Sequence, residues 1–457
     1  MKGMQINPLL IKKYDQPVPR YTSYPTVPFW DPVIDTEKWK YSFADQFDKR
    51  NHTEGLSLYI HLPFCESLCT YCGCNKKITT NHSVEEVYID AISKEWKMYR
   101  KLMSQTPVIR QLHLGGGTPT FFSLLNLKKL IGLLLKDCIT HPLYEFSIEG
   151  HPNNTTADHL KVLAGFGFRR ISYGVQDLDP EVQRVINRIQ PFENVARATE
   201  EARQAGFNSV NFDLIYGLPK QNLSSITNTI EQVIGLKPDR IAFYSYAHVP
   251  WTSRGQRLFD ENDLPAPEEK LALYVRGKQL LTDAGYIDIG MDHFALPNDD
   301  LYKAYQSKTL HRIFMGYAAG DPGLLLGLGV SAISDIGVAY AQNVKTLKEY
   351  YRMLEEGELP SVKGYFLNEE DLAVKQYILD ISCQNETVIQ EKHQELFEEF
   401  TKPLLQKFSE EGLLVMNGAS IRLTDAGHHF IRNICSAFDL RLQRKGKAGE
   451  AMFSKAI

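Results

Sequence analysis

The chain has 457 residues, enough for a main domain with a large core and a second, smaller one. Apolar residues make up 43 % and charged residues 23 %, the balance of an ordinary soluble protein, and no apolar run reaches the length of a membrane span. A formal net charge of −4 leaves no broad basic surface, so neither nucleic acid nor membrane is expected as a partner.

The first 54 residues contain Pro17, Pro19, Pro25, Pro28 and Pro32. Proline restricts itself and the residue before it, so residues 1–54 read as an extended segment wrapping the main domain. Lys12 and Lys13 follow a short apolar patch, the reverse of the order in a secretory signal. Clustered free thiols suit a reducing compartment, and a cytoplasmic protein is expected.

From residue 55 to about 250, short β-rich runs alternate with helical stretches. The strands are expected at Leu56–Leu62, Ile109–Leu114, Glu145–Glu149, Arg170–Gln176, Ser209–Ile215 and Arg240–Tyr246. Amphipathic helices are expected at Val84–Leu102, opened by a Ser83-x-x-Glu86 capping box, and at Leu124–Lys136, Phe192–Ala205 and Leu223–Gly235. Strand and helix in alternation imply parallel strands joined by right-handed crossovers. Six such units are too few to close an eight-stranded barrel, so the expected fold is α/β, a partial (β/α)6 barrel.

Directly after the first strand come Cys65-x3-Cys69-x2-Cys72-x-Cys74. Crowded thiolates are soft ligands, and this spacing lets three sulfurs of one tight loop face inward. Three thiolates on a cubic 4Fe–4S cluster leave one iron open to a small molecule, whereas an electron wire normally uses four cysteines. Structural zinc is the alternative, although zinc ribbons bring two separated ligand pairs and no second pair appears. Cys74 is expected to point away. Cys138, Cys383 and Cys435 are scattered through apolar surroundings and read as buried small hydrophobes.

The expected strand ends carry polar groups and glycines: Gly115-Gly116-Gly117-Thr118, Glu149, Gln176, Asp213 and Ala247-His248. Residues at that end of a parallel barrel surround the site, while the strand bodies fill the core. The three glycines leave room for backbone N–H groups beside a ligand, and no Gly-Lys-Ser/Thr follows to make a phosphate loop. Gly327-Leu328-Gly329 lies outside a βαβ unit and is not read as a dinucleotide site. Beyond Gly364 the texture changes. Helices are expected at Glu369–Ser382 and Gln390–Gly412, then a hairpin over Leu413–Leu423 turning at Asn417-Gly418, then a helix from Thr424 through Ile434. This is expected to be a small, mostly helical, winged-helix-like cap, giving a division into residues 1–54, 55–364 (core 55–250) and 365–457.

The cysteine spacing with Tyr71 before the third cysteine, and the glycine turn after the second strand, resemble the radical S-adenosylmethionine superfamily. Further motifs sharpen this: Pro19-Arg20-Tyr21-Thr22-Ser23-Tyr24-Pro25-Thr26, Cys74, Gly217-Leu218-Pro219, Gly290-Met291-Asp292-His293-Phe294-Ala295, Phe314-Met315-Gly316-Tyr317 and Ile431-Arg432-Asn433-Ile434-Cys435. Together, and over essentially the whole chain, they resemble the oxygen-independent coproporphyrinogen III oxidase family. The resemblance implies that Cys65, Cys69 and Cys72 hold one 4Fe–4S cluster. It implies one S-adenosylmethionine at Tyr59, Gly116, Glu149 and Ile333, and a second at Tyr71, Gly117, Thr118, Gln176, Arg188, Asp213 and Ala247. It further implies radical decarboxylation of two propionates of coproporphyrinogen III, an electron-donating redox protein and an unidentified electron acceptor. Arg20, His311 and Arg312 are candidates for the substrate carboxylates. A related heme-delivering group lacks Cys74 and the Arg20–Thr26 stretch, so their presence favours the enzyme. A monomer is the default expectation.

Overall fold

A computed structural model of the chain describes residues 8–251, 253–445 and residue 453. The outer ends of both expected terminal segments, residues 1–7, 446–452 and 454–457, lie outside the described residues. The chain forms two compact units. One comprises Asp31–Tyr286 with Pro322–Phe366; the other comprises the segment ending at Trp30, Ile287–Asp321 and the chain from Leu367 onward.

The first unit is built on parallel strands β1 (Leu56–Leu62), β2 (Val108–Gly116), β3 (Ile139–Gly150), β4 (Phe168–Gln176), β5 (Ser209–Tyr216) and β6 (Arg240–Ser245). They pair in chain order, each parallel to the next. All seven residues of β1 are buried, as expected for a strand covered on both faces. On its other side β1 pairs in parallel with β7 (Leu324–Leu328). Three antiparallel strands, β8 (Ile333–Asp335), β9 (Ala339–Asn343) and β10 (Ser361–Phe366), extend that flank.

Residues 36–50, expected to be extended, instead form helix α1 (Thr36–Arg50). Asp35 caps it, accepting from the Lys38 N–H at 3.0 Å, and Trp39, Phe43 and Phe47 are fully buried on one face. Burying each contributes roughly 1.5–3 kcal/mol, which outweighs the proline signal upstream. Helix α2 (Val84–Arg100) begins where expected, but Ser83 makes no side-chain cap bond. The Asn81 side chain accepts from the Ser83 N–H instead. Helices α3 (Leu124–Leu135), α4 (Phe192–Gln204) and α5 (Leu223–Leu236) complete crossovers read from the sequence.

In the second unit, helices at Glu369–Gln384, Thr401–Glu410 and Ile431–Phe438 accompany a three-stranded antiparallel sheet. The expected hairpin is its core: Leu414–Asn417 pairs with Ser420–Leu423, and Gly418 takes the left-handed conformation (φ +59°) the turn requires. Glu386–Val388 adds the third strand. The single helix expected over Gln390–Gly412 is broken into Gln394–Glu398 and Thr401–Glu410. The proline-rich segment is held by side-chain donors: Arg432 Nη2 donates to Val18 O at 2.5 Å, Asn433 Nδ2 to Tyr14 O at 2.9 Å and Arg312 Nη2 to Arg20 O at 3.1 Å.

Candidate functional site

Beyond β1 the chain runs on through Pro63–Cys65 with backbone bonds on both flanks. Gly117 N–H donates to Leu62 O at 2.8 Å and Thr118 N–H to Phe64 O at 2.9 Å; Lys77 N–H donates to Pro63 O at 2.7 Å and Thr79 N–H to Cys65 O at 2.9 Å. The first cysteine is therefore fixed by sheet-like pairing. The glycines at the end of β2 and just past it make this possible by close packing against protein. A Cβ on Gly117 would stand 2.7 Å from the Pro63 carbonyl carbon, one on Gly116 2.7 Å from the His61 ring, and one on Gly115 2.9 Å from the Glu149 carboxylate. The expected ligand-side room is thus taken up, at all three Cβ positions, by neighbouring residues.

The rest of the loop is tied down by several polar groups. Thr70 N–H donates to Ile186 O at 3.0 Å, and Asn187 Nδ2 donates to Leu68 O at 2.8 Å. Gln256, buried, donates through Nε2 to both Tyr71 O at 3.0 Å and Ala247 O at 3.1 Å. Ser253 Oγ–H and Lys76 Nζ both reach Cys72 O, at 3.1 and 2.9 Å. The Tyr71 ring packs on the apolar group Val182, Ile186, Ile215, Leu218 and Tyr246.

All seven cysteines are free. Donors face the loop sulfurs: Thr118 Oγ1–H to Cys65 Sγ at 3.3 Å and Arg188 Nη1–H to Cys69 Sγ at 3.5 Å. Cys74 is exposed, whereas Cys65, Cys69 and Cys72 are half-buried; its proximity brings the Cys72 thiol down to about 6 and raises its own. Burial pushes the Cys65 thiol up, against the Thr118 bond. Of the other cysteines, Cys383 and Cys435 are buried as expected, whereas Cys138 is only half-buried.

The remaining expected residues fall into two knots. In the first, the Tyr59 ring stacks on His113 (5.9 Å between centroids, 15° apart). His113 Nε2 lies 3.3 Å from Glu149 Oε1, and Gly116 N–H donates to Glu149 Oε2 at 3.0 Å. Burial opposes the charge on Glu149, but the bond to His113 and the Gly116 N–H hold it below the usual carboxylate range. Tyr59 is in register with Gly327, where a Cβ would strike Ile333 O at 2.4 Å, so the Ile333 backbone lies beside the same position. Tyr59 O–H also meets His61 Nδ1 at 3.0 Å, and His61 Nε2 meets Asn75 O at 2.8 Å. A carbonyl only accepts, so Nε2 carries the proton and Nδ1 accepts from Tyr59.

In the second knot, Arg188 forks onto Gly174 O through Nη2 and Nε, at 2.6 and 3.2 Å. Gly174 leaves the necessary space: its Cβ would meet Gln176 Nε2 at 2.5 Å and Arg188 Nη2 at 2.9 Å. Gly174 is in register with Asp213, whose carboxylate accepts from Ser172 Oγ at 3.0 Å and Asn211 Nδ2 at 2.9 Å. Burial, then the charge of Glu149, raises Asp213 to about 6. Gln176 ends β4 in the left-handed region (φ +65°). Sequence reasoning missed His61, His113 and Gln256; the signal for the first two was a histidine on each strand just before the cysteine loop and the glycine run.

A thiolate-bound iron–sulfur cluster fits this loop by its chemistry: three cysteines on a fixed backbone, with hydroxyl and guanidinium donors aimed at two of the sulfurs. No three His, Cys, Asp or Glu side chains among the described residues gather around a single-ion position. A cubane places its three cysteines on three separate irons, so its ligands need not meet at one point. No helix is long and apolar enough to cross a membrane among the described residues.

Comparison with known proteins completes the picture. Residues 59–233 match the family model described as Radical SAM superfamily. The chain is 38 % identical to an oxygen-independent coproporphyrinogen III oxidase of Synechocystis, over 98 % of this chain and 97 % of that one. It is 39 % identical to the one from Escherichia coli, over 98 % of each. The solved Escherichia coli coproporphyrinogen III oxidase, described as a radical SAM enzyme, superposes with a TM-score of 0.89 at 36 % identity, covering 96 % of this chain and 100 % of that one.

Proposed function

The chain belongs to the oxygen-independent coproporphyrinogen III oxidase family, and from that membership we infer that it oxidatively decarboxylates two propionate side chains of coproporphyrinogen III to vinyl groups, giving protoporphyrinogen IX in heme biosynthesis. The observation that carries this reading is the convergence of donors on the cysteine loop, beside two acidic strand ends, Glu149 and Asp213. When bound, one 4Fe–4S cluster and S-adenosylmethionine supply one-electron cleavage to a hydrogen-abstracting radical, the chemistry a bare decarboxylation lacks.

The chain's own groups bind and orient. Cys65, Cys69 and Cys72 hold the cluster. Glu149, kept ionised, accepts from the amino group of a first S-adenosylmethionine, with Tyr59, Gly116 and Ile333 around it. A second molecule is assigned to Tyr71, Gly117, Thr118, Gln176, Arg188, Asp213 and Ala247. Arg188 has five N–H groups, three of them engaged in the bonds above, which leaves two for a carboxylate. Buried walls at Tyr59 and Gln176 keep water from the reacting carbon, as radical chemistry demands.

The six consecutive parallel strands support an open, partial (β/α)6 barrel, and the helices with their three-stranded sheet support a winged-helix-like reading of the C-terminal part. We assign catalysis to residues 55–364, with core 55–250, flanked by 1–54 and 365–457. A cytoplasmic monomer, supplied by an electron-donating redox protein and discharging to an unidentified acceptor, completes the proposal. The test is an anaerobic assay of the iron-reconstituted protein with S-adenosylmethionine, a reductant and coproporphyrinogen III, read by mass spectrometry. Both 5′-deoxyadenosine and vinyl product are expected, and both should vanish in Cys69→Ser. Stoichiometric heme binding with neither product would move the protein to the heme-delivering group.

A further inference from the structure

Two of the residues assigned above to S-adenosylmethionine already have a partner in the cysteine loop. Thr118 Oγ1–H points at Cys65 Sγ at 3.3 Å, and Arg188 Nη1–H at Cys69 Sγ at 3.5 Å. Neither donor is free to wander. The Thr118 backbone is locked to Phe64 O, and the guanidinium is forked onto Gly174 O. That same carbonyl also takes a bond from Gln190 Nε2 at 3.2 Å. Gly174 itself clears the volume the guanidinium fills. The donors therefore stand in place without a second S-adenosylmethionine.

We propose that Arg188 and Thr118 are positioning residues that set the reduction potential of the cluster, by donating hydrogen bonds to the Cys69 and Cys65 sulfurs. This rests on the reading of the loop as a 4Fe–4S site. Reduction adds one electron, and the extra negative charge is spread over the irons and their sulfur ligands. A donor aimed at a sulfur stabilises the reduced form more than the oxidised form, so it raises the potential. Arg188 brings a full positive charge with its bond, Thr118 only a hydroxyl dipole. The arginine is thus the stronger of the two.

The experiment is an EPR-monitored redox titration of the reconstituted protein without S-adenosylmethionine, so that any cofactor contact by the same residues plays no part. Thr118→Val removes the hydroxyl and keeps the shape; Arg188→Met removes charge and donor. Both should shift the midpoint downward. For Arg188→Met the reduced-to-oxidised ratio at fixed potential should fall by about tenfold, which is 59 mV for a one-electron couple; the fall for Thr118→Val should be smaller. Thr118→Ser should restore the wild-type value and Arg188→Lys part of it. Unchanged midpoints with full iron content overturn the proposal. So does iron loss in both variants, which would make the two donors struts of the loop. A wild-type protein that takes up no cluster at all would instead overturn the proposed function.

Discussion

Gly117 separates the role of backbone packing from that of the sulfurs. In Gly117→Ala the new Cβ would lie 2.7 and 2.8 Å from the carbonyl carbon and oxygen of Pro63 and 2.9 Å from Phe64 O. Ordinary contact begins near 3.4 Å and the tightest of these is 2.7 Å, so the strand before Cys65 must retreat by about 0.7 Å. These neighbours are backbone, with no flexible side-chain end to yield. Overpacking of this kind costs about 1–3 kcal/mol, and weakening the Gly117 and Thr118 rungs adds roughly 1 kcal/mol. Metal–ligand distances fall within about 0.2 Å of their ideal values, and a shift of this size at Cys65 works against that. The variant should therefore melt lower and, after anaerobic reconstitution, hold a small fraction of wild-type iron and sulfide. Gly73→Ala is the matched control, on the same loop with nothing within 4 Å of its Cβ, and should hold nearly all of it. Wild-type iron content in Gly117→Ala would refute the packing argument.

Cys65→Ser, Cys69→Ser and Cys72→Ser should each lose the cluster by iron analysis, whereas Cys74→Ser, which removes an exposed thiol outside the three proposed ligands, should keep most of it. Burial raises Glu95 from 4.5 to about 7, against bonds from Tyr350, Gly329 and Asn343. Between those pH values the folded chain keeps a proton that the unfolded chain releases, so stability falls as pH rises, by roughly 3 kcal/mol at most. Urea midpoints at pH 5 and pH 7.5 should show the fall, and Glu95→Gln should make it shallower, the remainder coming from Asp177, Asp213 and Asp439, each raised to about 6. Arg432→Ala removes the buried side chain that bonds Val18 O and Pro19 O; it should cost roughly 2–3 kcal/mol and speed proteolytic cutting before Trp30, read by mass spectrometry of the fragments.

Periodicity located the parallel strands because buried strands are apolar throughout. β1 was legible residue for residue, and β5 and β6 to within one. β3 was read only from Glu145, yet it begins at Ile139, since its first half is exposed and interrupted by Pro142. Leu324–Leu328 went unread as a strand because the glycines after it drew attention as a motif. The Trp39, Phe43, Phe47 stripe was a helix signal, masked by the prolines between Pro17 and Pro32. At the site, the cysteines and strand-end acids were visible in the sequence as chemistry in a repeated place. His61, His113 and Gln256 were not, because what marks them is a partner far away in sequence: Asn75 O for His61, Glu149 for His113, Tyr71 O for Gln256.

The two-sided pairing of Pro63–Cys65 bears on how such a protein survives air. Exposed iron–sulfur clusters are destroyed by oxygen, and in a metal-dependent fold the structure is lost with the metal. Here the backbone that seats Cys65 belongs to the main-chain bonding of Leu62, Phe64, Lys77 and Thr79, so loss of a cluster bound there would leave that seat standing.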